Sequence, residues 1–303
     1  MTPMENSTES IAQKKINKQR AASIRGERRK KFLLQVPAYL ILGTWAVFTI
    51  FVLGWVLVSS FKSNQEIFKY VFNFPKVWQY GNYIKAWNSA KFALYFRNSI
   101  IITFCAVAGI LIASAPAAYV LSRMKFKGSN LILMGFVAGM GIPVSLVLIP
   151  LYVMMNKLGL VNTFTGLIIV YISLSIPFTV YILTGFFSSI PKELEEAAII
   201  DGCTDYEVFW HIMLPLASPG LLTAAIFNGI GLWNEYQLVL VFIGDGAKRT
   251  LALGLYSLQS AMQYTGDWVG LFAGVSIVMV PTILLFIVLS ERMISGITMG
   301  ATK

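Results

Sequence analysis

Residues 191–215 read Pro191-Lys-Glu-Leu-Glu-Glu-Ala-Ala-Ile-Ile-Asp-Gly-Cys-Thr-Asp-Tyr-Glu-Val-Phe-Trp-His-Ile-Met-Leu-Pro215, an acidic stretch between two long apolar parts of the chain. The stretch holds six of the fourteen carboxylates of the chain: Glu193, Glu195, Glu196, Asp201, Asp205 and Glu207. A charge at the bilayer centre costs about 2.5–3.5 kcal/mol, so burying these acids and Lys192 in lipid would cost roughly 20 kcal/mol. We therefore expect a structured surface outside the membrane, where another molecule can contact it.

The composition is that of a membrane protein. Of 303 residues, 56% are hydrophobic and 13% are charged, whereas soluble domains have about 25% charged residues. A membrane-spanning helix needs about 20 consecutive, mostly apolar residues. Charge-free runs of sufficient length occur at Phe32–Phe61, Asn98–Ser122, Gly128–Asn156, Leu158–Pro191, Ile212–Asn234 and Trp268–Ser290. The sequence therefore predicts an all-α, polytopic membrane protein with six transmembrane helices.

A seventh charge-free run, Thr250–Gly266, is shorter than the other six. It carries several polar side chains, namely Ser257, Gln259, Ser260, Gln263 and Tyr264. We expect an amphipathic segment on the outer side of the membrane, and its composition leaves open whether it dips into the bilayer.

The distribution of Lys and Arg residues predicts the orientation. Nine of them lie in residues 1–31, which favours a cytoplasmic N-terminus because cytoplasmic segments carry an excess of positive charge. Six spans then place residues 122–129, residues 188–217 and the C-terminus inside the cell as well. Residues 62–97 lie outside in this topology although they hold six basic residues, and the whole-chain tally is fifteen inside against nine outside. A seventh span would place the C-terminus outside.

The predicted organisation has four parts. Residues 1–31 form a basic cytoplasmic tail, residues 32–61 the first transmembrane helix, residues 62–97 an external loop, and residues 98–303 a five-helix core that includes the loop 188–217. The charge of the tail suits attraction to anionic membrane lipid, at about 1 kcal/mol per basic residue near the surface. Only charge would suggest nucleic acid, so we expect no such partner.

The sequence offers no catalytic or metal-binding group. Cys105 and Cys203 alone make neither a disulfide framework nor a metal site, and His211 is expected to be a loop residue rather than a ligand. The spans contain no cluster of His and Asp, no Ser/Lys pair and no metal-ligand spacing at a common depth. We therefore expect no catalytic residue, no metal and no cofactor in this chain.

The loop 188–217, called the acidic loop below, carries signals for two short helices. Pro191 suits the first turn of a helix, and Gly202 suits the left-handed residue that ends one. Thr204 and Glu207 have the spacing of a capping box, which predicts a second helix start. Pro215 is expected to close that second helix, and Ser218–Pro219 to cap and begin the fifth span.

One face of the first short helix is expected to meet a partner. Leu194, Ala197, Ala198 and Asp201 share that face by the i, i+3, i+4, i+7 rule. Small residues allow another backbone to approach closely, and flanking acids can set the register against a basic partner. The alternative is a solvated linker, but two capped helices and a glycine turn are more structure than a passive linker requires.

The acidic loop resembles a known motif. Glu196-Ala197-Ala198, then Gly202, then Ile212-Met213-Leu214-Pro215 matches the EAA loop of permease subunits of binding-protein-dependent ABC importers without a gap. Further stretches are similar to the second, six-span permease of maltose-type carbohydrate importers: Asn82-Tyr83, Phe96-Arg97-Asn98-Ser99, Ala117 to Arg123, Leu158 to Thr163 and Trp233-Asn234-Glu235-Tyr236. The basic tail lies outside the likeness.

The resemblance implies a type I ABC importer permease with a cytoplasmic coupling helix. In that family the loop helix docks in a groove of a cytoplasmic ATPase, and two such ATPase subunits close on ATP and swing the membrane helices. The resemblance carries the coupling contact onto Glu196, Ala197, Ala198, Asp201 and Gly202, with Leu194 on the same helix face. It also implies a second permease in a heterodimer, an extracellular solute-binding protein and location in the bacterial cell membrane.

Nucleotide chemistry is expected in a partner. The chain has no Gly-x4-Gly-Lys-Ser/Thr sequence, the phosphate-binding loop of many ATPases. We therefore expect ATP and Mg to be bound by the partner ATPase, and this chain not to be an enzyme.

The substrate pathway is predicted from Trp233, Asn234, Glu235 and Tyr236. Glu235 is an ionisable residue within an otherwise apolar fifth span, and such residues are functional candidates. It could face a polar cavity, where aromatic and acceptor groups suit the C–H faces and hydroxyls of a sugar. The alternative is an interfacial position, with Trp233 and Tyr236 in an aromatic belt.

Three further alternatives follow from the sequence. A permease of an ABC importer for a non-sugar solute would share the acidic loop. An ion-coupled secondary transporter usually has ionisable residues deep in several spans, and here only Glu235 comes near. The external loop, with Trp78, Tyr80, Tyr83 and Trp87, could meet the binding protein or cap its own helices.

Overall fold

The computed structural model describes residues 35–89, 91–124 and 126–301, and these residues are mainly helical. The basic tail, residues 1–31, lies outside the described residues, so its predicted role stays a prediction. The chain divides into two compact units, residues 1–58 and residues 59–303. Helix α1 (Gln35–Ser59) begins in the first unit and has a mean hydropathy of 2.3.

The second unit contains twelve α-helices among its described residues. They are α2 (Asn64–Lys69), α3 (Gly81–Ser89), α4 (Phe92–Arg123), α5 (Ser129–Met140), α6 (Val144–Lys157), α7 (Phe164–Ser189), α8 (Glu193–Ile200), α9 (Asp205–Leu216), α10 (Ser218–Asn234), α11 (Gln237–Phe242), α12 (Leu251–Thr265) and α13 (Trp268–Ala301).

The predicted spans correspond to these helices, but two of them are bent. Helices α1, α4 and α7 are each long and apolar enough to cross a membrane. Two further helix pairs pass the same test when each bent pair is counted as one span: α5 with α6, which meet at 100°, and α9 with α10, which meet at 69°. The predicted fifth span, Ile212–Asn234, corresponds to the last residues of α9 and to α10. In α13 the stretch Trp268–Leu284 is apolar. The fold is therefore that of an all-α, multi-pass membrane protein.

Proline accounts for one of the two bends. Helix α5 ends at Met140, and Pro143 immediately precedes α6. Proline has no N–H for the helical ladder and disfavours helical backbone at the residue before it, which favours a break at this position. Pro150 and Pro177, by contrast, lie inside the uninterrupted helices α6 and α7.

The core of the second unit is organised around α4 and α7. At one end of this pair, buried residues of α4 and α7 pack against Val208, Phe209 and Met213 of α9. At the other end, residues that include Tyr171 of α7 pack against Leu238 of α11. The same two long helices therefore support the acidic loop and the break that follows α10.

The predicted external loop packs on its own chain. Lys62 is buried, and its ammonium donates to the carbonyl oxygens of Tyr70 (3.1 Å) and Val71 (2.8 Å). Burial lowers the pKa of Lys62. Lys85 in α3 pairs with Asp267 at 2.8 Å, next to the start of α13. These contacts are those of a cap on the chain's own helices.

One predicted segment boundary differs from the structure, and a second segment has the predicted bounds. Helix α4 begins at Phe92, before the predicted Asn98, because the left-handed residue Lys91 ends the turn that follows α3. The segment Thr250–Gly266 is a helix, α12, whose first turn is buried. Its glycine, Gly254, lies against the ring of Tyr95 in α4.

Replacing Gly166 by alanine is expected to destabilise the fold by about 1–3 kcal/mol, the range for overpacked sites. Gly166 lies in the first turn of α7, where an added Cβ would collide with the backbone carbonyl of Leu160. Gly185 in the same helix has no such neighbour within 4 Å, so Gly185→Ala is the matched control. Thermal unfolding in detergent should show a lower midpoint for Gly166→Ala only, and equal midpoints would contradict the packing described.

Candidate functional site

The acidic loop is an ordered pair of helices. Helix α8 begins at Glu193, and its first turn carries Glu193, Glu195 and Glu196, where negative charge complements the helix dipole. Pro191 lies two residues before α8 rather than in its first turn as predicted. The acids near the N-terminus of α8 therefore stabilise the helix, whose start carries no side-chain cap.

The end of α8 depends on Gly202. This residue has a φ of 89°, a left-handed conformation that glycine adopts without steric cost. The N–H of Gly202 donates to the carbonyl of Ile199, and the N–H of Cys203 to that of Ala198, both at 3.0 Å. These two bonds form a Schellman motif. The predicted glycine terminus of the helix is confirmed.

Helix α9 begins with the predicted capping box. The Thr204 hydroxyl accepts from the Glu207 N–H at 3.4 Å, and the Glu207 carboxylate accepts from the Thr204 N–H at 2.8 Å. The bonds that Thr204 donates lower the pKa of the Glu207 carboxyl group.

The prediction that Pro215 closes α9 is wrong, because the helix continues to Leu216. The preceding turn, Val208–Met213, is π-helical, and the Leu214 N–H bonds to the carbonyl of Phe209. Such a widened turn is frequent at functional sites. Ser218 is the first residue of α10 and makes no capping hydrogen bond.

The predicted coupling residues divide between the surface and the core. Glu196, Ala197, Asp201 and Gly202 are exposed, and Leu194 is 44% exposed. Ala198 is only 5% exposed and belongs to the apolar core beneath the loop. Its predicted role as a partner contact is therefore corrected: Ala198 attaches α8 to α4 and α7 because its face of the helix is the one that packs inward.

Exposed apolar side chains in the acidic loop were missed by the prediction. Ile200 is 85% exposed, and Ile199, Tyr206 and Trp210 are also exposed. The rings of Tyr206 and Trp210 are in contact, with centroids 6.0 Å apart, and exposed apolar patches mark interaction sites. The signal in the sequence was the pair Ile199-Ile200, set between two alanines and an aspartate.

The four predicted pathway residues do not form one surface. Helix α10 ends at Asn234, so the following residues leave the helical path. Trp233 lines an apolar cavity of about 290 Å³ together with Thr103 and Pro281. Asn234 is exposed and donates to its own helix, whereas Tyr236 stacks on Tyr256 with ring centroids 4.9 Å apart.

Glu235 lies between α10 and α11 rather than inside an uninterrupted span. Its carboxylate accepts from the Tyr171 hydroxyl of α7 and from the Leu238 N–H of α11, both at 2.7 Å. The first bond ties the break to α7, and the second satisfies an N–H at the start of α11. The expectation of a charge within a continuous helix is thus corrected, because the carboxylate is placed by the helix break.

Glu235 also lines a cavity of about 270 Å³ between α7 and α10. Its walls combine polar groups with aromatic rings: Tyr171, Ser175, Phe178, Phe227, Asn228 and Glu235. Asn228 donates to the hydroxyl of Thr179 at 2.9 Å across the two helices. The cavity can therefore offer hydrogen-bonding groups and ring faces to a ligand.

Comparison with known proteins identifies the family. Residues 106–294 match the family described as binding-protein-dependent transport system inner membrane component. The diacetylchitobiose uptake system permease protein NgcG of Streptomyces coelicolor is 38% identical over 274 residues, which cover 90% of each chain. The probable starch degradation products transport system permease protein AmyC of Thermoanaerobacterium thermosulfurigenes is 34% identical over 248 residues, or 82% of this chain and 89% of that one.

A solved structure shares the fold. A chain from the crystal structure of a bacterial ABC transporter involved in the import of the acidic polysaccharide alginate superposes with a TM-score of 0.72 at 24% identity. The match covers 87% of this chain and 97% of that chain. The family match and the relatives show that this chain, with its acidic loop between α7 and α10, belongs to the inner-membrane permeases of binding-protein-dependent transport systems.

Proposed function

We propose that this permease forms, with a second permease, the pathway of an ATP-driven carbohydrate importer, and that the acidic loop is its contact with the ATPase. The single observation that carries the proposal is the exposed surface of α8 and α9. It presents Glu196 and Asp201 beside exposed Leu194 and Ile200, while its inner face is fixed to α4 and α7 by the apolar core.

The partners follow from this assignment. Two cytoplasmic ATPase subunits or domains bind ATP and Mg, so this chain supplies no catalytic group and no cofactor. An extracellular binding protein delivers the solute. Both termini and the acidic loop then face the cytoplasm, and the complex lies in the bacterial cell membrane in contact with lipid.

Helices α4 and α7 connect the acidic loop to the proposed substrate pathway, so a movement of the loop is transmitted through them. These helices pack against α9 at one end and against α11 at the other. ATP binding closes the ATPase subunits, and this closure shifts the membrane helices from one packed arrangement to the other. Displacement of the acidic loop is accordingly expected to alter the cavity beside Glu235, at the far end of α7.

Cavity chemistry and related proteins support a carbohydrate substrate. Relatives include permeases named for diacetylchitobiose and for starch degradation products. A carboxylate has about four acceptor positions, of which Glu235 uses two within the chain, so acceptors remain for sugar hydroxyls. Phe178 and Phe227 add ring faces to the same cavity. Its volume of about 270 Å³ is near the lower end of ligand pockets, which suits one sugar ring.

The proposal is tested by reconstitution. The chain is co-expressed with a candidate second permease, ATPase and binding protein from the same genome, and the complex is inserted into lipid vesicles. We expect uptake of a radiolabelled oligosaccharide that requires ATP on the ATPase side. Uptake of only a non-sugar solute would contradict the substrate, and uptake driven by an ion gradient without ATP would contradict the class of transporter.

A further inference from the structure

Glu195 differs from the other two acids in the first turn of α8. Glu193 and Glu196 are exposed, and neither has an ion-pair partner in the described part of the chain. The side chain of Glu195 is only 19% exposed and points towards the end of α4. One acid of this turn therefore faces the membrane helices and two face away from them.

Both oxygens of the Glu195 carboxylate are engaged by α4. Oε1 accepts from the Tyr119 hydroxyl at 3.0 Å, and Oε2 lies 3.8 Å from Nε of Arg123. Tyr119 and Arg123 are four residues apart on α4, so they lie on one face of the helix. The Tyr119 hydroxyl and the Arg123 guanidinium, both on α4, therefore hold the Glu195 carboxylate in one position.

Arg123 extends this connection to the start of the acidic loop. Its side chain is 3% exposed, and a guanidinium N–H donates to the carbonyl of Ile190 just after α7. The Nε group has no hydrogen-bond partner among the described residues, and the ion pair with the Glu195 carboxylate at 3.8 Å is its contact with an acid. A buried charge of this kind is strongly destabilising once its partner is removed.

Tyr119 also joins the three elements around it. Its ring lies edge-on to Phe187 of α7, at 5.7 Å between centroids, and is tilted against Phe209 of α9 at 5.1 Å. The hydroxyl on that ring is the group that reaches Glu195. The end of α4 is therefore in direct contact with α7, α8 and α9 at once.

We propose that Glu195 is a positioning residue that fixes α8 to the end of α4, so that movement of α8 displaces α4 as one body. This inference rests on the proposed function of α8 as the ATPase contact. Glu195 itself faces away from the ATPase, so its loss should leave docking intact and interrupt the transfer of movement into the membrane.

The experiment measures ATP hydrolysis and uptake in the same vesicles for Glu195→Gln and Tyr119→Phe. We expect normal co-purification of the ATPase, with uptake per ATP lower by about tenfold, the factor for losing a hydrogen bond to a charged group. Glu193→Gln is the matched control, because it removes the same charge from the same turn at an exposed position. Its uptake per ATP should equal that of the unaltered chain.

Several outcomes would overturn the inference. Wild-type uptake per ATP in Glu195→Gln would do so, and so would loss of ATPase co-purification, which would make Glu195 a docking residue. If Glu195→Gln fails to reach the membrane, the uptake per ATP of Tyr119→Phe tests the inference instead, because that variant removes only one hydroxyl. The double variant should be no worse than Glu195→Gln alone, and additive losses would contradict a shared connection. Failure of the unaltered chain to bind any ATPase would instead overturn the proposed function, and this inference with it.

Discussion

Replacing Gly202 by proline should abolish transport while the chain remains in the membrane. Gly202 has a φ of 89°, whereas proline fixes φ near −65° and has no N–H to donate to Ile199. A proline in an incompatible helical site costs about 3 kcal/mol or more, which corresponds to roughly a hundredfold lower population of the docked arrangement. The change lies outside the spans, so insertion should be unaffected.

The measurement compares uptake with the amount of chain in the membrane. Gly202→Asn is the control, because asparagine tolerates the left-handed conformation better than other residues that carry a side chain. Glu196→Lys, which reverses an exposed charge of the proposed contact, should also reduce uptake. Normal uptake by both Gly202→Pro and Glu196→Lys would count against the coupling role of the acidic loop.

The second large effect is expected from Glu235→Ala. The substitution leaves the Tyr171 hydroxyl and the Leu238 N–H without their acceptor, and it removes the acceptors proposed for the sugar. Hydrogen bonds to a charged group are worth about 1.5–3 kcal/mol each, so we expect uptake to fall by at least about tenfold. Tyr171→Phe removes one of the two bonds and should give a smaller loss.

Asn234→Ala provides the comparison, because the neighbouring Asn234 is exposed and bonds only within its own helix in the described contacts. Kinetics of oligosaccharide uptake are measured for each variant at equal membrane content. An equal loss in Asn234→Ala and Glu235→Ala would contradict the assignment of the cavity. A fall in protein level without a transport defect would support a structural role of Glu235 instead.

Local signals in the sequence are sufficient to predict where the helices of the acidic loop end and begin. A left-handed glycine, a Thr–Glu capping box and acids in a first helical turn act within four residues of one another. Gly202 and the Thr204–Glu207 pair therefore could be predicted without knowledge of the fold. The widened turn before Pro215 was missed because it depends on how Val208 and Phe209 pack beneath the loop.

Which face of a helix is covered could not be predicted from periodicity. Their spacing places four residues on one face of α8: Leu194, Ala197, Ala198 and Asp201. The spacing does not show which part of that face a neighbouring helix covers. Ala198 packs against the α4–α7 core, whereas Leu194 remains exposed. The inward position of Glu195 depends on Tyr119, which lies 76 residues away in the sequence.

The pathway residues illustrate the same limit. Four adjacent residues were predicted as one sugar-binding surface, but α10 ends among them and their side chains diverge. Asn228 and Phe178, which line the cavity with Glu235, carried no signal of their own in the sequence. Their juxtaposition arises only when α7 and α10 pack together.

We infer that the acidic loop faces the cytoplasm and that an ATPase moves it there. The most direct test of this claim is a single cysteine at Ile200, the 85% exposed residue of α8, with Cys105 and Cys203 replaced by serine. In intact cells a membrane-impermeant maleimide should leave this cysteine unlabelled, and in purified complexes a short cross-linker should join it to the ATPase. Labelling from outside the cell, or an assembled complex that yields no cross-link to the ATPase, would contradict the claim.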